Sequence, residues 1–243
     1  LALAGLAGFA LLATGAAIAP CHVALAAVAR PTSATRANDA RELTTAVTAW
    51  RHMTKHKIAI IVGSLRKDSV NRKVARTMAA IRDDTLDCTI VEIGDLPLFN
   101  QDLEATPPEA WVKFRDLIRP MDGVLFVTPE YNRGLPGALK NAIDVGSRPY
   151  GQSVFAKKPA AVVTASPGGV GGFGANHQLR QCCVFLDMPL MAQPEAYLGH
   201  VTDDSFDADG QLKDGPLKDV VTGLAHAFAG WVDLIIKGRA ALA

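Results

Sequence analysis

The stretch Ile58-Ala59-Ile60-Ile61-Val62, followed by Gly63-Ser64-Leu65-Arg66-Lys67-Asp68-Ser69-Val70-Asn71, decides how this chain is built. Its first five residues are apolar and mostly β-branched, and Gly63 closes them. That pattern reads as a short strand buried on both faces. Val70, Val74, Met78 and Ile81 then recur at helical spacing, predicting a helix over Val70–Ile81. A buried strand that runs through a polar loop into a helix is the opening unit of a parallel α/β sheet.

The same alternation continues downstream. Strands are expected at Cys88–Ile93, Gly123–Thr128, Ala160–Ala165 and Leu190–Ala192. Helices are expected at Pro108–Ile118, Gly137–Val145, Ala175–Leu186 and Val220–Ile236. Pro108 suits a helix start, and Trp111, Phe114, Leu117 and Ile118 share one face. The fold class is therefore α/β, a doubly wound five-stranded parallel sheet in three α/β/α layers. Ligands in such sheets bind beyond the carboxyl ends of the strands. The loops after the first, third and fourth strands are thus where chemistry is expected.

Composition agrees with one ordinary domain plus an unlike leader. The chain has 243 residues, 49% of them hydrophobic and 20% charged, with a formal net charge of +1. Disordered, collagen-like and disulfide-stapled classes are excluded. The near-neutral balance supplies no general field for nucleic acid or an anionic membrane. The four cysteines form no C-x-x-C pair, so neither a zinc framework nor a thioredoxin-type motif is supported.

Residues 1–29 contain no charged residue, and residues 30–52 are polar and linker-like. Leu1–Ala19 has about the apolar length of a bilayer span. No positive n-region precedes it, and Pro20 before Cys21 does not suit a lipoprotein site. Met53-Thr54-Lys55-His56-Lys57 leads directly into the first strand. The expectation is that residues 1–52 stand outside the fold as an over-long start, and that the domain is 53–243. That start implies a cytoplasmic protein; the alternative is export or membrane anchoring through residues 1–29. Residues 53–243 carry 21 basic and 22 acidic side chains, again near neutral, and are read as having no membrane role.

The first loop reads as a phosphate site. Orphan N–H groups and the positive end of the helix dipole point into it. Ser64, Ser69 and Asn71 add neutral hydrogen-bonding groups, and Arg66 adds a planar cation suited to phosphate. The G-x-x-x-x-G-K-[ST] pattern of a nucleotide triphosphate loop is absent. The plainer alternative is that Ser64 or Ser69 merely caps the helix. The third loop contains a literal G-x-G-x-x-G at Gly169–Gly174. It follows the fourth strand, and Asp187 lies before the next apolar run, so a dinucleotide fingerprint is not supported. Those glycines are expected to let the backbone approach a flat ligand. In the second loop, Pro129, Glu130, Tyr131 and Asn132 could address the edge of a planar heterocycle. Tyr131 could flank such a ring or reach a neighbouring subunit; a Pro-anchored turn with a surface Tyr is the alternative. His177 reads as a solvated helix histidine, and Cys182-Cys183 as packing residues. A metal site is not expected.

Three segments together resemble the NADPH-dependent FMN reductases, in their chromate and quinone reductase branch. They are G-S-L-R-K-x-S-x-N at 63–71, T-P-E-Y-N-x-x-x-P-G-x-L-K-N-A-I-D at 128–144, and L-R-Q-x-x-V-F-L-x-M-P at 179–189. Leu96–Leu103 adds to the likeness, which runs from about Ile58 to the C-terminus and leaves out residues 1–52. The resemblance implies a flavodoxin-like fold and non-covalent FMN. It further implies NADPH or NADH as electron donor and a homodimer or homotetramer. The implied reaction is ping-pong, from NAD(P)H through FMN to a quinone or another small-molecule acceptor such as chromate. The alternative is a flavodoxin-like carrier without NAD(P)H turnover.

On this likeness Ser64, Leu65, Arg66, Ser69, Val70 and Asn71 would hold the FMN phosphate. Pro129, Glu130, Tyr131 and Asn132 would line the isoalloxazine, with Ser166, Gly168 and Gly169 covering its other edge. No side-chain catalyst is implied. Two positions depart from the family pattern: Val145 stands where Trp is usual, and Asp68 where many relatives have Gly. A carboxylate at 68 would weaken phosphate binding unless it faces solvent.

Overall fold

The computed structural model describes residues 55–81 and 85–242. The expectations for residues 1–52 and for a start at Met53 lie outside the described residues. Five strands form one sheet: β1 (His56–Val62), β2 (Leu86–Val91), β3 (Gly123–Thr128), β4 (Ala160–Ala165) and β5 (Ala196–Leu198). All are parallel, in the order β2-β1-β3-β4-β5. This is the flavodoxin-like order, with its switch point between β1 and β3.

Helices cover both faces: α1 (Val70–Ala80), α2 (Glu109–Ile118), α3 (Gly137–Gly146), α4 (Phe173–Phe185) and α5 (Pro216–Leu242). Ile58, Ile60 and Val62 of β1 pack with α1 and α5 on one face. Ala59 and Ile61 pack toward α2, α3 and α4 on the other. Because β3, β4 and all of β1 beyond Lys57 are sandwiched, they are buried on both faces and nearly all apolar; the edge strand β2 alternates instead.

Helix α5 is, by length and composition, the one described helix able to cross a bilayer. Here Val221, Leu224, Ala225, Phe228, Ala229 and Val232 form its buried stripe against the sheet. The stripe recurs at three and four residues, so its apolar character is used in the core.

The second strand begins two residues earlier than expected and the fifth lies elsewhere. Leu190 makes a single bridge to Ala160, whereas β5 is Ala196–Leu198, paired to Val163–Ala165. Pro189 and Pro194 bracket the predicted segment, and proline supplies no N–H to a ladder. The chain therefore gains a continuous partner for β4 only beyond Pro194. Helix α4 starts two residues early, behind Gly172 in the left-handed region at φ +80°.

Candidate active site

The three loops singled out in the sequence meet at the carboxyl ends of β1, β3 and β4 around a cavity of about 270 Å³. Ser64, Arg66, Ser69, Val70 and Asn71 line it from the first loop. Ser69 is the N-cap of α1, its hydroxyl accepting the Arg72 N–H at 3.3 Å. Ser64 is buried and its Oγ accepts the Arg66 N–H at 3.4 Å. Asn71, 2% exposed, donates from Nδ2 to the Ala165 carbonyl at 3.1 Å, and its buried Oδ1 has no hydrogen-bond partner. Gly63 is forced by closeness: a Cβ there would lie 2.1 Å from Thr128 Oγ1. Leu65 stands outside the cavity, half exposed beside Gly94. Asp68 is exposed.

Pro129, Glu130 and Tyr131 line the cavity from the second loop. Tyr131 and Gly134 exchange backbone hydrogen bonds of 3.1 and 3.0 Å around a two-residue turn. Asn132 and Arg133 take that turn at φ +51° and +65°, which places Asn132 at the tip and off the cavity. The Glu130 carboxylate accepts the Ala175 N–H at 3.0 Å and pairs with Arg133. It therefore serves the N-terminus of α4, in which Gly172 offers no side-chain cap. Tyr131 is 52% exposed.

From the third loop, Ser166 lines the cavity together with Ala165 and Pro167, two residues not expected among those of the site. Gly168 and Gly169 lie outside the lining, although Gly168 donates its N–H to Ser166 Oγ at 3.1 Å. The glycines that follow are closely packed within the protein. A Cβ on Gly171 would lie 2.6 Å from the Tyr197 carbonyl carbon, one on Gly172 2.8 Å from Thr164 Cβ, and one on Gly174 2.7 Å from the Arg133 oxygen. These glycines let the loop pack on the protein's own strands and turns.

Asn141, in the K-N-A-I-D motif, pins the segment after β2. Its Oδ1 accepts the Phe99 N–H at 2.7 Å, and its Nδ2 donates to Leu96 and Pro97 carbonyls. Trp111 Nε1 donates to the Pro97 carbonyl at 2.9 Å. Val145 is fully buried. His177 is exposed on α4, with its ring 4.1 Å from Phe173 and its Nε2 3.1 Å from the Tyr197 hydroxyl. Burial pushes the Cys183 thiol up to about 12 and raises Cys182 as well, so neither is a ready thiolate. A larger cavity, about 770 Å³, lies beside the segment leading into β4 and contains none of the predicted site residues.

The parallel sheet, the capped helix facing the cavity and the clustered 63–71 residues are matched as one unit by a known family. The NADPH-dependent FMN reductase family model matches residues 56–203, which run from β1 to just beyond β5. The chain belongs to that family. Within the FMN reductases, it is 58% identical over 180 residues to a quinone reductase of Pseudomonas putida, covering 74% of this chain and 96% of the relative. It is 42% identical to a 2-hydroxy-1,4-benzoquinone reductase of Burkholderia sp., covering 72% and 96%. Among solved structures, the flavoenzyme NAD(P)H:(acceptor) oxidoreductase FerB of Paracoccus denitrificans superimposes with a TM-score of 0.67 at 40% identity. That match covers 73% of this chain and 97% of FerB.

Proposed function

We propose that this chain is an NAD(P)H-dependent FMN oxidoreductase that passes electrons to quinones or other small acceptors such as chromate. The observation that carries the reading is the convergence of Ser64, Arg66, Ser69 and Asn71 at one cavity opening onto the start of α1. The donor set fits a phosphate. It combines a helix N-terminus, a cation and two buried hydroxyls, with α1 free of any acid in its first turn. The unpartnered Asn71 Oδ1 is a buried acceptor that a bound molecule's donor would satisfy.

When bound, FMN supplies the capacity to accept a hydride from NAD(P)H and return two electrons to the acceptor. The chain's residues position it. Arg66, Ser64 and Ser69 anchor its charged end, with the N–H groups of the loop. Pro129 and the rigid Tyr131–Gly134 turn set one wall, and the Ser166–Pro167 segment sets the other. Glu130 is assigned to holding that wall to α4 through Ala175.

Self-association accompanies this reading. Tyr150 and Phe185 are each 86% exposed and line the larger cavity, and Val184 beside them is 74% exposed. An exposed apolar patch of that kind suits a second copy of the chain, giving a homodimer or homotetramer. Phe185→Asp is expected to reduce the oligomer measured by light scattering.

Mixing the FMN-loaded protein anaerobically with NADPH or NADH tests the main reading. Bleaching of the flavin absorbance, followed by recovery on adding a quinone, is expected. Absence of bleaching with both donors would remove the reductase assignment and favour an electron carrier. Arg66→Ala is expected to weaken FMN binding about tenfold, since one charge-assisted contact to phosphate is lost.

A further inference from the structure

The first turn of α1 breaks the usual rule for helix starts. It carries no acid and two cations, Arg72 and Lys73, although the helix dipole disfavours cations there. Each cation is met by an acid from a distant segment. Arg72 forms a two-pronged ion pair with Glu92, just past β2. Lys73 Nζ lies 2.7 Å from Asp203 Oδ1 and 5.2 Å from the centre of the Phe206 ring.

Asp203 sits on the segment that leaves β5. That segment is tied both to a wall of the cavity and to the body of α1. Val201 donates its N–H to the carbonyl of Ser166 at 3.1 Å, and Leu212 donates to Thr77 Oγ1 of α1 at 3.0 Å. A reciprocal hydrogen-bond pair between Thr202 and Ser205 fixes the short turn Asp203–Ser205. The carboxylate is thus held at one place beside the start of α1. Lys73 chiefly, and Arg66 to a smaller degree, hold its carboxyl below the ordinary range. Lys73 stands in the first turn of α1, and Val201, two residues before Asp203, bonds the lining residue Ser166, so the Asp203 carboxylate stands beside the phosphate-binding end.

We propose that Asp203 is a specificity-determining residue of the cofactor site: a built-in anion, seated on Lys73 beside the start of α1, that lowers affinity for the dianionic phosphate of FMN. The proposal rests on the reading of residues 63–71 as the phosphate site. A fixed negative charge repels a dianion and leaves an uncharged ligand untouched. Asp203 therefore sets how strongly the site distinguishes FMN from riboflavin, the same ring system without phosphate.

The test is titration of the full-length flavin-free protein with FMN and with riboflavin, at low and high salt. Asp203→Asn is expected to tighten FMN by about three- to tenfold at low salt, with the gain shrinking at high salt. Riboflavin affinity is expected to stay within about twofold, as a neutral ligand does not sense the field. Asp203→Glu keeps the charge and is expected to behave as wild type toward both ligands. A purely structural role would weaken both ligands alike in Asp203→Asn, and that result would overturn the proposal. So would an unchanged FMN affinity in Asp203→Asn while Arg66→Ala binds FMN more weakly; the phosphate reading would then stand without it. If Arg66→Ala also leaves FMN affinity unchanged, the phosphate reading itself fails and takes the proposal with it.

Discussion

Asn71 ties the first cavity loop to the third: its Nδ2 donates to the Ala165 carbonyl at 3.1 Å, across 94 residues of sequence. Its Oδ1 is buried without a partner. One side chain therefore joins the start of α1 to the end of β4 and keeps one buried amide oxygen unpartnered. Asn71→Ala is expected to lower stability by about 1–2 kcal/mol, the cost of a buried carbonyl losing its donor. FMN affinity is expected to fall about tenfold as the loops lose their tie. Urea unfolding and flavin fluorescence titration measure the two effects separately.

Glu130 is the cap that α4 does not carry itself. Replacing it by Ala leaves the Ala175 N–H without its acceptor and removes an anion from the positive end of the helix. A loss of about 1–2 kcal/mol in unfolding free energy is expected. Glu130→Gln retains an acceptor oxygen and is expected to recover part of that loss. Native-state hydrogen exchange at the first turn of α4 is the local readout.

Gly171 and Gly137 make a matched pair of substitutions. At Gly171, φ is +63° and a Cβ would lie 2.6 Å from the Tyr197 carbonyl carbon, so Gly171→Ala is expected to cost about 2–4 kcal/mol. At Gly137, the first residue of α3, nothing lies within 4 Å of an added Cβ. Gly137→Ala is expected to be neutral or stabilising by up to about 1 kcal/mol. Thermal melts of the two variants give the comparison, and equal effects would contradict the packing assigned to the third loop.

Tyr197 gives a pH signature. Burial, reinforced by the Glu195 carboxylate, pushes its phenol up from 10 to about 12. Its neutral form is the one the fold favours. Between pH 10 and about 12 an unfolded chain has released this proton and the folded chain has not. The unfolded state then binds fewer protons, so the contribution of this group to stability is present below pH 10 and falls as pH rises through the window. Absorbance at 295 nm is expected to show a late tyrosine titration that is absent in Tyr197→Phe.

Most of the sheet and all three cavity loops were legible in the chain itself. Ile58–Val62, Gly123–Thr128 and Ala160–Ala165 are buried throughout and almost wholly apolar, because a strand with helices on both faces has no solvent side to mark. The start of α1 was legible because Ser69 must sit where the first N–H groups lack partners. β5 was not, because three residues carry too short a pattern and its choice depends on pairing with Val163–Ala165. The glycines of the third loop were visible as a motif, yet their role depends on Tyr197 and Thr164, which approach only after the sheet is assembled.

The order of local elements, the turn residues and the charge-bearing loop at 63–71 follow from local sequence, since strand burial, helix capping and backbone freedom act over a few residues. Tertiary structure alone decided which distant groups meet. It gave the Glu130 carboxylate to Ala175, the Asn71 amide to Ala165, and the Asp203 carboxylate to Lys73. Such pairings join residues as much as 130 positions apart. No local pattern encodes them, because they depend on how the helices and the sheet pack.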